Sequence, residues 1–237
     1  MTVIYSIDGN IGSGKSTFVR ALKEYFSKPE NCEIYDEELG TTVKQKIYFL
    51  EEPVNVWESI KDREGKTVIE CFYANQEKYS FSFQMMAYIS RLASLRQAVR
   101  EGYDIIFSER CVNTDRNVFA KLLYDEGKIT EIDYQIYNMW FDEFIYDFKQ
   151  FKYIYIKTHH TIADERVLKR ARKGENIPVE YLKKCNEYHN LWLDSIISSD
   201  FNNLEFDGNI SISDVPNLHN DWCEIVKSKV LPCYKFI

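Results

Sequence analysis

The chain has 237 residues and a hydrophobic content of 45%, which suits one well-filled α/β domain. Its formal net charge of −7 argues against a nucleic acid partner, because surfaces that hold a nucleic acid backbone normally carry a basic patch. No apolar run approaches the roughly 18 residues of a membrane span and the first strand pattern leaves no room for a targeting peptide, so we expect a soluble cytoplasmic protein without a membrane partner.

Strand and helix patterns alternate along the chain. In chain order they predict a strand at residues 3–7, a helix at 16–27, a strand at 46–51, a helical stretch at 68–100, a strand at 104–108, helices at about 113–124 and 130–149, a strand at 153–156, a basic helix at 161–172, a helix from 178, a strand at 204–206 and a helix after 216. The stretch at 68–100 is long enough for two helices or one bent helix. Residues 30–45 are acidic and polar and are interpreted as a surface excursion.

This alternation calls for an open parallel sheet of about five strands with helices on both faces, because parallel strands need helical crossovers. The predicted fold class is therefore α/β, in a single domain over residues 1–237.

A phosphate-binding loop lies between the first strand and the first helix. Gly9 is followed after four residues by Gly14, Lys15 and Ser16, which is the required spacing in the required context. Such a loop turns backbone N–H groups toward phosphate oxygens, Lys15 adds a positive charge, and Ser16 offers a hydroxyl to Mg²⁺. We therefore expect an α/β fold of the P-loop NTPase type that binds ATP or another NTP together with Mg²⁺. The residues expected around the phosphates are Gly9, Asn10, Ile11, Gly12, Ser13, Gly14, Lys15, Ser16 and Thr17.

The six cysteines are interpreted as free thiols. No two of them form a Cys-x-x-Cys pair, and no histidine lies near them at a spacing that suits zinc. Free thiols are typical of a reducing compartment. The residues are Cys32, Cys71, Cys111, Cys185, Cys223 and Cys233.

Five ordered motifs make the chain resemble the deoxyribonucleoside kinases, in the branch that includes the deoxycytidine and deoxyguanosine kinases. They are residues 9–17 (GNIGSGKST), 52–57 (EPVNVW), 79–84 (YSFSFQ), 109–116 (ERCVNTDR), and 170–172 (RAR) before 177–182 (IPVEYL). The resemblance covers nearly the whole chain outside residues 30–45 and the C-terminal segment. It implies transfer of the γ-phosphate of ATP to the 5′-hydroxyl of a deoxyribonucleoside, a role in nucleotide salvage, and a homodimer.

The resemblance implies a catalytic set of Glu52, Arg110 and Lys15. Phosphoryl transfer to a hydroxyl needs positioning, charge stabilisation and a group that accepts the hydroxyl proton. Glu52 is the candidate base at the end of the second strand, whereas strand alternation is expected to point Glu51 elsewhere. Arg110 would steady the 5′-oxygen and the moving phosphoryl group.

The resemblance also implies which residues bind the metal and the phosphates of ATP. Glu109 ends the third strand, where phosphate-loop enzymes place a carboxylate for Mg²⁺, so Glu109 and Ser16 are the expected metal ligands. The family uses the basic helix as a lid, which would span about residues 166–178 here. Arg170 and Arg172, with Arg166 on the same helix, would contact the ATP phosphates from this lid. The family usually has serine where this chain has Cys111, from which we expect a small packing change.

The resemblance also implies a pocket for the nucleoside. Trp57, Phe83 and Phe119 would sandwich the base, and Gln84 would match a base edge. Tyr73 and Glu175 would hold the sugar 3′-hydroxyl. The complete substrate-binding set is Glu52, Trp57, Tyr73, Phe83, Gln84, Ala87, Arg91, Arg110, Asp115, Phe119 and Glu175.

Two charged residues are expected to choose the base. Arg91 and Asp115 match the deoxycytidine and deoxypurine branch, and a buried Arg and Asp are costly unless they are paired. Asp115 can accept a hydrogen bond from an exocyclic amino group, and Arg91 fills space that a thymine methyl group would need. We therefore expect deoxycytidine and deoxyadenosine as substrates, deoxyguanosine through Arg91, and thymidine as a poor substrate.

Two other functions remain open at this stage, because the fold hosts many activities. A nucleoside monophosphate kinase, such as a thymidylate kinase, shares the loop and the lid, but its phosphorylated acceptor would call for an extra arginine clamp. A GTPase switch or an ATP-dependent scaffold would use the same loop without an acceptor pocket. The guanine-reading motif Asn-Lys-x-Asp is absent from the sequence.

The implied homodimer would form through two long helices with aromatic faces. On the helix at 130–149, four aromatic residues follow the i, i+3, i+4, i+7 spacing of an apolar stripe. They are Tyr137, Trp140, Phe141 and Phe144. The same spacing also fits burial within one chain, so both readings stay open.

Overall fold

The computed structural model describes residues 2–36, 40–146, 148, 151–172 and 177–231. In chain order, the described strands are β1 (Val3–Asp8), β2 (Glu33–Asp36), β3 (Thr41–Lys44), β4 (Ile47–Leu50), β5 (Ile105–Glu109), β6 (Phe151–Lys157) and β7 (Leu204–Asp207). Five of them form a parallel sheet in the order β4-β5-β1-β6-β7. The predicted fold class, an α/β fold of about five parallel strands, is confirmed.

Helices cover both faces of this sheet. In chain order, they are α1 (Lys15–Phe26), α2 (Val54–Ser59), α3 (Val68–Ala74), α4 (Gln76–Arg100), α5 (Val112–Thr114), α6 (Lys121–Asp125), α7 (Glu131–Ile145), α8 (His160–Arg170), α9 (Val179–Ser199) and α10 (Leu218–Val230). A π-helical segment, Asp115–Ala120, connects α5 to α6. Among the described residues, no helix combines the length and apolar character that crossing a membrane requires.

The central strand β1 shows why the sheet is covered on both sides. All six of its residues are buried, as expected when helices pack on both faces of a parallel sheet. Tyr5 and Ile7 contribute to one core cluster with α1 and α10, whereas Ile4 contributes to the other cluster, with α4 and α7. Successive side chains therefore serve opposite cores, which is the period-two pattern of a strand.

The helical stretch at 68–100 consists of two helices. Asn75 separates α3 from α4 with φ −153° and ψ 87°, and its side chain accepts a hydrogen bond from the backbone N–H of Lys78. Thr67 and Glu70 form a reciprocal capping box at the start of α3. The two caps fix both helix starts, so the sequence expectation of two helices or a bent one is met by two.

Two features, a pair of strands and a helix, were not predicted from the sequence. The surface excursion at 30–45 contains β2 and β3, which pair antiparallel as a separate two-stranded sheet in the described part of the chain. Helix α2 begins directly after Pro53, which stands at its N-cap. Both elements are short, so neither shows a clear periodic pattern in sequence.

The aromatic stripe on α7 is divided between the interior and the surface. The rings of Tyr137 and Phe141 pack on Tyr88 of α4 at centroid distances of 5.8 and 5.6 Å. Trp140 is exposed and stacks with Phe144 at 5.5 Å. Of the two interpretations of this stripe, burial within one chain applies to Tyr137 and Phe141, because both form part of the core that covers the sheet.

Candidate active site

The carboxyl ends of the parallel strands converge on one edge of the sheet, where open α/β folds bind ligands. The phosphate loop follows β1, Glu52 follows β4, and Arg110 follows β5. A cavity of about 540 Å³ opens at this edge and extends from the loop to a pocket between α2, α3 and α4. This volume is within the usual range of small-molecule sites.

The phosphate loop depends on its glycines for both conformation and space. Gly9, Gly12 and Gly14 have φ values of 149°, 80° and 100°. A Cβ atom on Gly12 would lie 2.3 Å from the carbonyl oxygen of Ala163 in α8, and one on Gly9 would lie 2.6 Å from that of Ile156. Only glycine allows this approach of the loop to β6 and α8.

Lys15 is buried and turned onto the loop itself. Its Nζ donates to the carbonyl oxygens of Gly9 at 2.9 Å and Asn10 at 2.6 Å, and to Ser13 Oγ at 3.3 Å. Burial, reinforced by the nearby Arg110 guanidinium, lowers the pKa of Lys15 to about 7. An anionic phosphate beside Lys15 would favour its charged form.

The side chain of Asn10 links the phosphate loop to a neighbouring helix. Its Nδ2 donates to the carbonyl oxygen of Leu182 in α9 at 2.8 Å, and its Oδ1 accepts from the backbone N–H of Ile11 at 2.8 Å. The Asn10 side chain is thus engaged in fastening the loop to α9. Its hydrogen bonds identify a positioning role for the side chain.

Ser16 and Glu109 supply oxygen atoms suited to Mg²⁺. Ser16 Oγ donates to Glu109 Oε1 at 2.5 Å, which places the hydroxyl and the carboxylate side by side below the loop. No group of three or more His, Cys, Asp or Glu residues able to hold a metal occurs among the described residues. One carboxylate and one hydroxyl still fit Mg²⁺, because this ion keeps several waters and takes phosphate oxygens as further ligands.

Glu52 lies between two buried guanidinium groups. Its Oε1 accepts from Arg110 Nη1 at 2.6 Å and from Arg91 Nη2 at 3.1 Å. Burial opposes ionisation of Glu52, but Arg110, Arg91 and Lys15 together hold its pKa well below the usual range. Glu51 is 66% exposed and pairs with Lys23 at 3.5 Å, so it points elsewhere as expected.

Arg110 adopts a backbone conformation that is rare outside glycine. Its φ is 59°, a strain that often marks functional positions. The guanidinium lies over the ring of Phe119, 5.1 Å from the ring centroid, and Nη2 donates to the carbonyl oxygen of Gly9 at 3.3 Å. Nε is buried and has no hydrogen-bond partner among the described residues. Buried donors normally have partners, so this one is consistent with a ligand contact.

The far end of the cavity holds the Arg91 and Asp115 pair. Arg91 Nε donates to Asp115 Oδ2 at 3.0 Å, and Asp115, the first residue of the π-helical segment, is only 2% exposed. Burial raises the pKa of Asp115 to about 6, although Arg91 opposes this shift. Gln84 Oε1 is buried without a donor in the described part of the chain.

Aromatic rings form the walls around that polar end. Trp57 and Phe83 meet edge to face at 5.9 Å, and Phe83 stacks on Phe72 at 4.5 Å. Trp57 Nε1 donates to Ser90 Oγ at 2.9 Å, which fixes the indole in place. Such walls suit a planar ligand.

Most of the predicted site residues line this one cavity. They are Ile11, Gly12, Gly14, Lys15, Ser16, Thr17, Glu52, Trp57, Tyr73, Phe83, Gln84, Ala87, Arg91, Glu109, Arg110, Asp115, Phe119, Arg170 and Arg172, together with Arg166. Gly9, Asn10 and Ser13 shape the loop without lining the cavity, and Glu175 lies outside the described residues.

The sequence analysis missed several residues of the site. Phe72, Tyr181, Arg20 and Lys169 also line the cavity. Asp8, at the end of β1, is fully buried and accepts hydrogen bonds from Ser6 Oγ at 2.5 Å and from the Thr114 hydroxyl. Burial raises the pKa of Asp8. An acidic residue at the carboxyl end of the predicted first strand was the available signal.

Comparison with known proteins agrees with this geometry. The family model described as deoxynucleoside kinase matches residues 5–230. Human deoxycytidine kinase is 33% identical over 200 residues, which cover 79% of this chain and 74% of that protein. Deoxycytidine kinase 1 of Xenopus laevis is 31% identical and deoxycytidine kinase 2 of Gallus gallus is 28% identical, with 72% and 77% of those proteins covered.

These matches decide among the functions that the phosphate loop alone left open. A monophosphate kinase, a GTPase switch and a scaffold are not supported, because the matching family transfers phosphate to deoxynucleosides. The chain belongs to the deoxynucleoside kinase family and is an enzyme of nucleotide salvage that phosphorylates deoxynucleosides with ATP.

Proposed function

We propose that the enzyme phosphorylates the 5′-hydroxyl of deoxycytidine and deoxyadenosine, accepts deoxyguanosine, and uses thymidine poorly. The observation that carries this proposal is the buried ion pair of Arg91 and Asp115 at the end of the cavity. Asp115 offers an acceptor for the amino group of cytosine or adenine, whereas thymine presents a carbonyl oxygen there. Leaving a buried acceptor unpaired can discriminate by several orders of magnitude. Several relatives named above are deoxycytidine kinases.

The reacting groups are assigned from their contacts. Glu52, kept ionised by two guanidinium groups, accepts the proton of the 5′-hydroxyl. Arg110 and Lys15 stabilise negative charge on the transferred phosphoryl group, and Arg170 and Arg172 contact the donor phosphates. Ser16 and Glu109 would hold Mg²⁺, which when bound neutralises charge on the phosphate oxygens.

The nucleoside is held by the walls of the cavity. Trp57, Phe83 and Phe119 enclose the base, and Gln84 supplies both a donor and an acceptor to its edge. Tyr73 is assigned to the sugar. Glu175, the other residue expected at the sugar, lies outside the described residues.

A panel assay of ADP release tests the activity and its base preference. Deoxycytidine and deoxyadenosine are expected to give high turnover, and thymidine is expected to have a low kcat/KM. The nucleoside monophosphates should give no ADP release above background. Thymidine used as well as deoxycytidine would contradict the preference. Turnover with monophosphates alone would contradict the assignment of a nucleoside acceptor.

The double variant R91M/D115A tests whether this pair selects the base. Removing the charge and the acceptor together is expected to raise the kcat/KM of thymidine relative to deoxycytidine by about tenfold or more. R100M is the matched control, because Arg100 is an exposed arginine on the same helix. An unchanged ratio in R91M/D115A would place base selection elsewhere.

A homodimer is the final part of the proposal. The apolar side chains exposed on α7 are Ile132, Ile136, Met139 and Trp140. Ile89 of α4 is also exposed, and it follows Tyr88, whose hydroxyl donates to the carbonyl oxygen of Trp140 at 3.1 Å. The two helices thus present neighbouring apolar surface, which supports self-association.

A further inference from the structure

The Arg91 side chain joins three parts of the active site. Its Nε donates to Asp115 Oδ2 at 3.0 Å, its Nη1 to the carbonyl oxygen of Glu109 at 2.9 Å, and its Nη2 to Glu52 Oε1 at 3.1 Å. Every nitrogen of one planar group is therefore engaged. Because a guanidinium is rigid and planar, its three contacts cannot move independently of one another.

The two oxygen atoms of Glu52 have different surroundings. Oε1 receives both guanidinium groups, from Arg91 and from Arg110. No described residue donates a hydrogen bond to Oε2, and Glu52 lines the cavity. Two donors on one oxygen fix the rotation of the carboxylate and leave the second oxygen available to a ligand.

We infer that Arg91 is a positioning residue for Glu52 in addition to its part in base selection. The same guanidinium that pairs with Asp115 at the base end orients the carboxylate at the transfer end. This inference rests on the proposed role of Glu52 as the proton acceptor. It makes turnover, and not only nucleoside affinity, depend on Arg91.

Positioning is worth a large factor in this reaction. Phosphoryl transfer depends mainly on alignment, and a misplacement of about 1 Å can lower the rate on the order of 100-fold. Arg110 holds Oε1 more closely than Arg91 does, at 2.6 Å against 3.1 Å. Loss of Arg91 alone should therefore leave the carboxylate ionised but less well oriented.

A double-mutant cycle between R91M and E52Q tests the inference. In the full-length enzyme with saturating deoxycytidine and ATP, R91M is expected to lower kcat by about tenfold or more. In the E52Q background the same change should lower kcat by less than about twofold, because Arg91 acts through Glu52. The exposed R100M variant should keep the kcat of the wild type, since Arg100 lies outside the cavity.

The pH profile provides a readout that a merely structural role would not change. Arg91 also faces Asp115, so the profile is measured for R91M/D115N against D115N, in which residue 115 does not titrate. Removing one of the cations beside Glu52 raises the pKa of its carboxyl, so the acid side of the kcat profile should move to higher pH in R91M/D115N. R91K is expected to keep the profile closer to that of the wild type. Its single ammonium retains the charge but lacks the planar fork that reaches both carboxylates.

R91M leaves Asp115 buried without a cation, so folding is measured alongside activity. If thermal melting shows that R91M does not fold, the cycle is run with R91M/D115N against D115N, which removes the unpaired charge. A rise in KM with kcat retained would overturn the inference, as would an equal loss of kcat with and without E52Q. Near wild-type turnover of E52Q alone would instead contradict the proposed role of Glu52, and with it this inference.

Discussion

Glu52 is the residue whose surroundings decide the most about the chemistry. Arg110 and Arg91 lie within 3.1 Å of the same carboxylate oxygen and keep the group ionised. Replacing Glu52 by Gln retains the shape and much of the hydrogen bonding but removes the proton acceptor. We expect kcat for deoxycytidine to fall on the order of 100-fold or more, measured by ADP release.

Glu51→Gln is the matched control for that experiment. Glu51 is the neighbouring glutamate, and it is exposed and paired only with Lys23 among the described residues. Turnover of the E51Q enzyme should therefore stay near that of the wild type. Calorimetric titration of E52Q with deoxycytidine should still give binding. An E52Q enzyme that turns over as fast as E51Q would show that Glu52 is not the base.

If Asp115 accepts from the base as proposed, the binding of deoxycytidine should depend on pH. Its carboxyl group must be ionised to act only as a hydrogen-bond acceptor for the amino group of the base. Burial raises the pKa of this carboxyl group to about 6. The ionised fraction therefore falls as pH drops through that value, so the KM for deoxycytidine should rise between about pH 7 and about pH 5. D115N is expected to have a higher KM that no longer varies with pH in this way. A KM of the wild type that stays constant over the range would contradict the assignment.

The residues of the site were predictable where a local motif carries them. Lys15, Ser16 and Glu52 each follow a strand in a recognisable pattern, and Glu109 ends one. The contact between Glu52 and Arg91 could not be read in this way, because it joins a strand end to the middle of α4, 39 residues away in sequence. Such contacts depend on the packing of elements and not on spacing along the chain.

Among the elements, the phosphate loop is the one most restricted by its neighbours. Gly12 and Gly127 both have positive φ, at 80° and 70°, so alanine is strained at either position. Only Gly12 also approaches another backbone, at 2.3 Å from Ala163, while nothing lies within 4 Å of a Cβ on Gly127. Comparing alanine variants at the two positions therefore separates the cost of backbone strain from the cost of steric overlap with α8.

We expect G127A to lower the free energy of unfolding by about 1 kcal/mol and to leave activity near that of the wild type. G12A should lower the free energy of unfolding by more, about 2–4 kcal/mol, because α8 must shift away from the loop. It should also raise the KM for ATP, since α8 carries Arg166 and Arg170. Denaturant unfolding and steady-state kinetics measure the two effects. Equal losses in G12A and G127A would mean that the contact with α8 is unimportant.

The regular elements were predictable in proportion to their length and apolar periodicity. Helix α4 and strands β1 and β5 follow clear patterns, so a helical stretch and two strands were expected at these places. The hairpin of β2 and β3 was missed because its strands have four residues each and its exposed positions are polar. Helix α2 was missed because Pro53 was interpreted only as the end of a strand, although proline also starts helices.

At the scale of the whole molecule, helix α7 exposes an apolar surface that requires an explanation. Ile132 and Met139 on α7 are 71% and 73% exposed. The sequence pattern indicated that α7 is amphipathic, but it could not tell which aromatic residues face the sheet. That division depends on how α7 packs on α4, where Tyr88 contacts Tyr137 and Phe141.

If this surface is the interface of the proposed homodimer, the enzyme should sediment as a dimer at micromolar concentration. Met139→Lys is expected to shift the species toward monomer, because burying a lysine in an apolar interface leaves a charge without water or a partner. Leu191→Lys is the matched control, since Leu191 is 78% exposed and belongs to another helix, α9. Sedimentation equilibrium of the three proteins measures the change. A wild-type enzyme that is monomeric at these concentrations, or a dimer that L191K weakens as much as M139K does, would contradict an interface through α7 and α4.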